Sequence, residues 1–271
     1  MTEPPRIRAW RPAVAGVAEV FHARFTDHAY PMHAHDSWTL LLVDDGVVGY
    51  DLDRHEHVAL DRVVTLLPPS VPHNGRAVSP QGFRKRVLYL DRTQLDDGLV
   101  GPAVDAPVIA DAALRTAVHR LHGALARPGE ELESESRLAL VAERLRGHLA
   151  RLPPAAPAAA PRLAGQLRDL LDARTVDGIG LAEAAALLHA HPTHLVRAFG
   201  REFGMAPHRY LTSRRVDLAR TLILDGRPLS DVATASGFYD QSHLHRHFTR
   251  IVGGSPGEFA ARRGVRLGAP G

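Results

Sequence analysis

The chain has 271 residues, of which 45% are hydrophobic, so it is long enough to form two folded units with apolar cores. It contains no cysteine, which excludes disulfides, thiolate catalysis and cysteine-ligated zinc sites. The formal net charge is +3, and no apolar run approaches the roughly 18 residues that a membrane-spanning helix needs. The N-terminal residues lack the apolar core of a signal peptide, so we expect a cytoplasmic protein with no membrane partner.

Charge is distributed unevenly along the chain. Residues 1–161 contain 18 Arg and Lys against 20 Asp and Glu, whereas residues 162–271 contain 15 against 10. Proteins that neutralise nucleic-acid phosphates need a local excess of Arg and Lys. The composition of the C-terminal segment therefore favours contact with DNA.

Short segments rich in β-branched and aromatic residues fill residues 20–110 and predict strands. Turn-forming sequences such as Asp44-Asp45-Gly46 and Pro68-Pro69 separate them. Many short strands at close spacing are typical of a closed antiparallel barrel or jelly roll. The predicted strands are Val20–Phe25, Trp38–Val43, Val47–Asp51, His57–Leu60, Val63–Leu67 and Arg86–Leu90.

Three histidines mark the candidate site of this barrel. His33 and His35 are two residues apart, so both could face the interior from one strand, and His73 could approach from the neighbouring strand. Three imidazoles are a sufficient set of protein ligands for zinc or another transition metal. The favoured alternative is a ligand pocket without metal or other cofactor, lined by His33, His35, Trp38 and His73.

The same segment resembles the cupin fold. His33-Ala34-His35, Gly46, and Pro68-Pro69 followed by Pro72-His73-Asn74 are similar to the two cupin motifs. The Glu that usually follows the first motif's histidines is absent from residues 36–41. This departure weighs against cupin catalysis.

Residues 111–152 change to a helical period. Leu114, Val118, Leu121 and Leu125 form one apolar stripe, and a second stripe follows Pro128-Gly129. That second stripe consists of Leu138, Val141, Leu145, Leu149 and Leu152. It suits either antiparallel packing in a dimer or packing on the barrel of the same chain, and the sequence leaves both open. Residues 153–161 are rich in Pro and Ala and predict an extended linker.

Residues 181–259 contain one helical pattern twice. Each copy reads as a helix, a tight turn and a second helix, with Pro192 at the start of one second helix and Gly237 in the other turn. Between the copies, residues 207–224 predict one continuous helix with arginines largely on one side. Leu181, Ala185, Leu195, Arg197, Phe199, Gly204, Pro207 and Tyr210 recur 48 or 49 residues later as Leu229, Ala233, Leu244, Arg246, Phe248, Gly253, Pro256 and Phe259.

This duplication resembles the DNA-binding domain of AraC/XylS-family transcription regulators. The resemblance covers about 100 residues and rests on Gly237-Phe238, residues 241–248, Gly253, Ser255-Pro256 and Glu258-Phe259. It implies an α+β protein of two domains: a cupin-like antiparallel β-barrel of the jelly-roll type with a helical pair, and an all-α domain with two helix-turn-helix units. The implied domains are an effector-sensing barrel at 1–110, the helical pair at 111–152, the linker at 153–161 and a DNA-binding domain at 162–271.

The resemblance also implies partners and site residues. We expect a transcription regulator that binds promoter or operator DNA, senses a small-molecule effector, forms a homodimer and has RNA polymerase as a further possible partner. Family members read bases from the exposed positions of each second helix, and Arg197 and Arg246 have the bidentate geometry to read guanine. The implied DNA-binding residues are Thr193, Val196, Arg197, Gln241, Ser242, His245 and Arg246.

Two readings remain for the whole chain. The first is a regulator without enzymatic activity, in which the effector changes how the two protomers, or the barrel and its own DNA-binding half, are positioned relative to each other. The second is a metal-dependent cupin enzyme that carries a DNA-binding domain. The missing Glu after His35 weighs against the second reading, and the duplicated helical unit weighs for the first.

Overall fold

The computed structural model describes residues 6–127, 129–151 and 162–261. The first of these ranges contains two antiparallel sheets that face each other, which confirms the barrel and the two-domain α+β class predicted from the strand pattern. The strands are β1 Arg6–Trp10, β2 Val17–Phe25, β3 Ala29–His33, β4 Trp38–Gly46, β5 Val48–Leu52, β6 His55–Ala59, β7 Val64–Leu67, β8 His73–Ala77, β9 Phe83–Leu90 and β10 Val108–Ile109.

The larger sheet has the order β1-β2-β9-β4-β7-β10, and the smaller has the order β3-β8-β5-β6. Six of these strands overlap the predicted ones, whereas β1, β3, β8 and β10 escaped prediction. The sequence of β8, His-Asn-Gly-Arg-Ala, has neither alternating apolar residues nor β-branched ones. Pairing with β3 and β5 on its two sides stabilises it as a strand despite that local composition.

Side chains alternate across the larger sheet and build two separate cores. On β4, Leu41 and Val43 face the smaller sheet, whereas Trp38, Leu40 and Leu42 face a layer of helices. That layer is formed by α1 Val100–Asp105, α2 Ala112–Leu125 and α3 Glu131–Leu149.

Both apolar stripes of the helical pair are buried within this layer. Leu114, Val118 and Leu121 of α2 are fully buried, and Leu138, Val141, Leu145 and Leu149 of α3 are 0–3% exposed. The structure therefore gives these residues the intramolecular packing that the sequence left as one of two alternatives. Leu152, the last residue of the predicted stripe, and the Pro/Ala linker lie outside the described residues.

The C-terminal part is entirely helical, as predicted, and the linking helix α7 has the predicted bounds. Helix α4 was not predicted, although its buried Ala164, Leu167 and Leu171 follow a helical period. No helix within the described ranges combines the length and apolar character needed to cross a bilayer. The helices are α4 Leu163–Ala173, α5 Leu181–Leu187, α6 Pro192–Phe203, α7 Pro207–Leu224, α8 Leu229–Ala235, α9 Gln241–Val252 and α10 Pro256–Ala261.

The two helix-turn-helix units are anchored differently. The first, with α4 and α5–α6, has its own core around Leu195, Phe199 and Tyr210, which the barrel joins mainly through Ala34 and Met32. The second, α8–α9 with α10, shares one continuous apolar core with the barrel interior. Helix α7 lies between them and packs on the barrel through Ser213, whose Oγ is 3.4 Å from the backbone nitrogen of Ala34.

Candidate effector cavity and DNA-reading helices

A cavity lies between the two sheets and is closed on one side by the helical half. It is lined by residues of the barrel strands and by Arg220 of α7 and Ile251 and Val252 of α9. About 50 Å³ is accessible to the centres of water molecules, so the space holds little more than a few waters as it stands. The polar lining residues are Tyr30, His33, His35, Thr39, Tyr50, His73, Asn74, Lys85, Tyr89 and Arg220.

The three predicted histidines meet in this cavity. His33 ends β3 and is paired directly with His73 at the start of β8, and their ring centroids are 4.6 Å apart. His35 follows in the loop, with ring centroids 4.8 Å from His33 and 5.3 Å from His73. All three side chains are buried, at 4–5% exposure. The sequence spacing therefore identified a real cluster, although β3 ends before His35.

Each imidazole is oriented by one hydrogen bond at Nδ1. The Nδ1 atom of His33 lies 2.7 Å from the carbonyl oxygen of Pro31, and that of His73 lies 3.0 Å from the carbonyl oxygen of Val71. The Nδ1 atom of His35 lies 2.7 Å from Oδ1 of Asp217, on α7. Because all three acceptors are oxygens, each Nδ1 carries the proton and each Nε2 keeps a free lone pair.

Burial keeps these imidazoles neutral. It lowers the pKa of His73 to about 3, with a further contribution from His35, and holds the pKa of His33 well below its usual value, with contributions from His73 and His35. Burial also lowers the pKa of His35, against the opposing attraction of Asp217. At neutral pH the cluster therefore presents nitrogen lone pairs.

The donor set fits a divalent transition metal. One ligand atom from each of His33, His35 and His73 lies within 4.8 Å of the other two. Neutral imidazole is a preferred ligand of zinc and related ions, and three protein nitrogens leave at least one coordination position open. The cavity lining contains no carboxylate that could fill that position.

A lysine and two hydroxyls without partners in the described part of the chain line the same cavity. The Nζ atom of Lys85 lies 3.9 Å from the ring centre of Tyr30, and burial lowers the pKa of this lysine to about 7. The hydroxyls of Tyr30 and Thr39 are buried, with no hydrogen-bond partner among the described residues. An acceptor-bearing molecule in this cavity would meet several donors. Of the polar residues that line the cavity, only the three histidines had been singled out from the sequence.

The structure moves Trp38 out of the predicted pocket. This residue begins β4 on the face that carries Leu40 and Leu42, so it packs under the helical layer. Its indole N–H donates to the carbonyl oxygen of Leu95 at 3.3 Å, and the side chain is fully buried. Trp38 must be removed from the lining, and Thr39, one residue further on, takes its place.

All the predicted DNA-reading side chains are exposed on the second helix of their unit. Thr193, Val196 and Arg197 lie on the outer face of α6, opposite the buried Leu195 and Phe199. On α9 the exposed side chains, opposite Leu244 and Phe248, are Gln241, Ser242, His245 and Arg246.

Of the other histidines of the second unit, two have structural contacts. His243 and His247 lie one turn apart, with ring centroids 4.8 Å from each other, and both pack against Phe238. These two histidines share a face of α9, while His245 points outward. Tyr239, which precedes α9, is 88% exposed beside the reading surface and was missed in the sequence.

Two family models match successive parts of the chain. A model described as an AraC-like ligand binding domain matches residues 16–142, and one described as a helix-turn-helix domain matches residues 184–262. The chain belongs to the AraC family of transcription regulators. The family assignment does not favour the enzyme alternative.

Similar proteins support this assignment over part of the chain. The chain is 35% identical over 79 residues to the probable transcriptional regulator LumQ of Photobacterium leiognathi, which is 29% of this chain and 32% of LumQ. It is 31% identical over 77 residues to the HTH-type transcriptional regulator YbfI of Bacillus subtilis, and the match covers 28% of this chain and 28% of YbfI. The chain thus spans about a third of the length of the curated relatives it matches.

Solved structures match the fold over nearly the whole chain. ToxT from Vibrio cholerae O395 is 12% identical with a TM-score of 0.63, covering 96% of this chain and 99% of ToxT. A wild-type ToxT structure with an unsaturated fatty acid bound is 13% identical with a TM-score of 0.58, covering 97% of this chain and 98% of that one. At this low sequence identity, the similarity to ToxT shows a shared fold of the two domains and nothing further.

Proposed function

We propose that this AraC-family protein is a sequence-specific DNA-binding regulator whose barrel cavity binds a small molecule. The observation that carries the proposal is the shared lining of the cavity: Arg220, Ile251 and Val252 belong to the helices that position the DNA readers. A molecule that occupies the cavity therefore contacts both halves of the chain. We assign sensing to residues 1–110 and DNA binding to residues 162–271.

Base reading is assigned to the exposed faces of α6 and α9. Arg197 and Arg246 can each donate two hydrogen bonds to guanine, Gln241 can pair with adenine, and Val196 can contact a thymine methyl. Thr193, Ser242 and His245 complete the two surfaces. Because α7 joins the two units as one continuous helix, both reading helices should enter major grooves about one turn apart on one face of the duplex.

The cavity favours a small polar effector. Typical small-molecule sites have volumes of about 300–1,000 Å³, well above the space described here, so binding requires the cavity to open. Arg220, Ile251 and Val252 close the cavity from the helices, so they can move away without breaking the hydrogen bonds of either sheet. A fatty acid is bound in ToxT, but the donors here, Tyr30, Lys85 and Arg220 among them, support a molecule rich in acceptor oxygens.

A homodimer and a contact with RNA polymerase are further parts of the proposal. The apolar stripe of α3 is occupied within the chain, so a dimer would use another surface. Leu132 and Leu140 on the outer side of α3 are 77% and 63% exposed and offer such a surface. Sedimentation of the full chain at several concentrations would test the dimer.

The decisive experiment selects binding sites from random DNA with the full-length protein and maps them by footprinting. We expect a site of about 15–20 base pairs with two protected major-groove segments roughly one turn apart. Adding a cavity ligand found by thermal-shift screening of sugars and small organic acids should change the affinity for that site, typically by about 5–150-fold. Binding without sequence preference would defeat the proposal.

A further inference from the structure

The three cavity histidines have the environment of metal ligands. In protein metal sites, a ligating imidazole almost always donates its second ring N–H to a carbonyl or a carboxylate, which fixes its orientation. His33, His73 and His35 all have such a partner, respectively Pro31, Val71 and Asp217. A histidine that merely fills a core also needs a partner for its N–H, but it does not need to converge with two others.

We propose that His33, His35 and His73 bind a divalent transition-metal ion of the Zn²⁺ class, and that Asp217 joins this ion to helix α7. The ion would be held by the three Nε2 atoms. Zn–N distances are about 2.0–2.1 Å, which places tetrahedral ligand atoms about 3.4 Å apart, so atoms now up to 4.8 Å from one another must move closer around the ion. The open coordination position faces the cavity, where water or an acceptor atom of the effector binds.

Asp217 gives this site a link that lies outside the barrel. Its Oδ1 accepts from His35 at 2.7 Å, and its Oδ2 is 3.2 Å from both the backbone nitrogen of Asp36 and the guanidinium of Arg214. A metal ion on Nε2 withdraws charge from the imidazole and makes Nδ1–H a stronger donor to this carboxylate. Metal binding therefore strengthens the attachment of α7 to the barrel.

One nearby charge opposes the ion. Lys85 lines the same cavity, with its Nζ atom 3.9 Å from the ring centre of Tyr30. Arg220, the second cation of the lining, is paired with Glu19 at 2.7 Å. The site is thus built from neutral donors, and the charge of Arg220 is balanced by Glu19.

The first test titrates Zn²⁺ alone into full-length protein stripped with EDTA. We expect one ion per chain by calorimetry, and visible absorption bands of nitrogen-coordinated Co²⁺ when cobalt replaces zinc. His73→Gln should weaken Zn²⁺ binding at least 100-fold, whereas His55→Gln, which alters an exposed histidine of the same barrel, should not change it. A wild-type protein that binds neither ion, or equal binding by both variants, would overturn the site.

The second test concerns the link to α7. Asp217→Asn should weaken Zn²⁺ binding about 10–100-fold, as removal of a ligand's outer partner typically does. The matched control is Asp225→Asn, which breaks the ion pair between α7's C-terminal end and Arg11 of the barrel without touching a histidine. Zn²⁺ should raise the melting temperature of the wild type and of Asp225→Asn more than that of Asp217→Asn. Equal zinc affinity in the two variants would contradict the role of Asp217.

These experiments distinguish a loss of metal binding from misfolding and from a loss of DNA binding. Circular dichroism of each metal-free variant shows whether it is folded, and the Co²⁺ spectrum of the wild type reports imidazole ligation without any substitution. The regulatory meaning of the site rests on the proposed function, but neither test uses DNA. Failure to bind metal would leave the DNA-reading proposal intact, and loss of DNA recognition would leave the metal measurement valid.

Discussion

Arg220 is the residue that most directly joins the two halves of the chain. It is 4% exposed, its guanidinium is 2.7 Å from the carboxylate of Glu19 on β2, and it lies 4.5 Å from the ring centre of Tyr89. Burial opposes the charge, but Glu19, Tyr89 and Asp217 together raise the pKa of Arg220 above its usual value. An always-charged side chain thus lies at the boundary between the cavity and α7.

Breaking this buried pair should be costly. Arg220→Met leaves the Glu19 carboxylate without its partner, and we expect the free energy of unfolding to fall by about 3–5 kcal/mol. Adding Glu19→Gln removes the unpaired charge and should restore much of the loss. Urea unfolding of the single and double variants measures both values. A double variant no more stable than Arg220→Met would show that the pair's charge is not the cause.

Lys85 should make stability depend on pH. Its pKa falls from 10.5 to about 7 in the folded chain, chiefly through burial and then through Arg220, so between these values the unfolded chain holds a proton that the folded chain has lost. Stability therefore rises with pH across this window. Lys85→Met should stabilise the protein by roughly 1–4 kcal/mol at pH 7 or below, since each pKa unit is worth about 1.4 kcal/mol, less the lost contact with Tyr30.

The gain from Lys85→Met should shrink as the pH approaches 10.5, because the unfolded wild type then loses its proton as well. Denaturant unfolding at several pH values between 6 and 10 follows the difference. A gain that stays constant over this range would mean that the charge of Lys85 does not determine it.

Arg246 should contribute specificity, whereas Arg250 should contribute affinity alone. Both are exposed on α9, but Arg246 is closer to the N-terminal turns, which enter the groove in helix-turn-helix proteins. Arg246→Ala should cost about 1–3 kcal/mol on the selected site and relax preference at one base pair. Arg250→Ala should weaken all sequences together and lower the salt slope by about one. Titrations on specific and random DNA at several salt concentrations distinguish the two effects.

At the scale of elements, the turns of the two helix-turn-helix units have the same left-handed backbone conformation at equivalent positions but use different residues there. Gly237 follows α8 with a φ of +82°, and His189, which occupies the equivalent place after α5, has a φ of +47°. A left-handed backbone is accessible to glycine but costs other residues about 1–2 kcal/mol. The first turn is therefore the strained copy.

His189→Gly should stabilise the protein by roughly 0.5–1 kcal/mol, since relief of strain exceeds the entropy that glycine loses on folding. The reciprocal change, Gly237→Ala, should destabilise it, because a Cβ there would lie 2.5 Å from the carbonyl oxygen of Val176. Thermal unfolding of both variants tests this pair. Destabilisation by His189→Gly would show that the histidine makes a contact worth more than the strain.

The sequence predicted elements well where an apolar residue pattern of helical period continued over a long segment. The bounds of α7 follow from Pro207 and a continuous apolar stripe. Prediction failed where tertiary contacts determine the outcome. No local signal shows that Trp38 faces the helical layer or that Asp217, on another domain, hydrogen-bonds His35.

At the scale of the whole molecule, the two reading helices depend on different cores. Helix α6 belongs to the first unit, whose core is largely its own, whereas α9 buries Leu244, Phe248 and Val252 in a core shared with the barrel. The first unit should therefore be the more independent of the barrel. The second should respond more strongly to changes in the cavity, since Ile251 and Val252 line it.

A fragment of residues 162–271 should reveal this difference. Without the barrel, we expect amide hydrogen exchange in α9 to accelerate strongly, while α4 and α6 keep most of their protection. Mass spectrometry measures exchange in the fragment and in the full chain, and α6 and α9 are compared within each sample. Equal loss of protection in α6 and α9 would mean that both units rely on the barrel alike.

The position of Ile251 and Val252 limits how far these halves can be exchanged between relatives. A chimera joined within residues 153–161 would take its barrel from one parent and the closing wall of its cavity from the other. The reading face of such a hybrid would keep its own operator, but its ligand specificity would match neither parent. Transplanting a sensor intact therefore requires moving Arg220 and the inner end of α9 with the barrel, and leaving Gln241 to Arg246 behind.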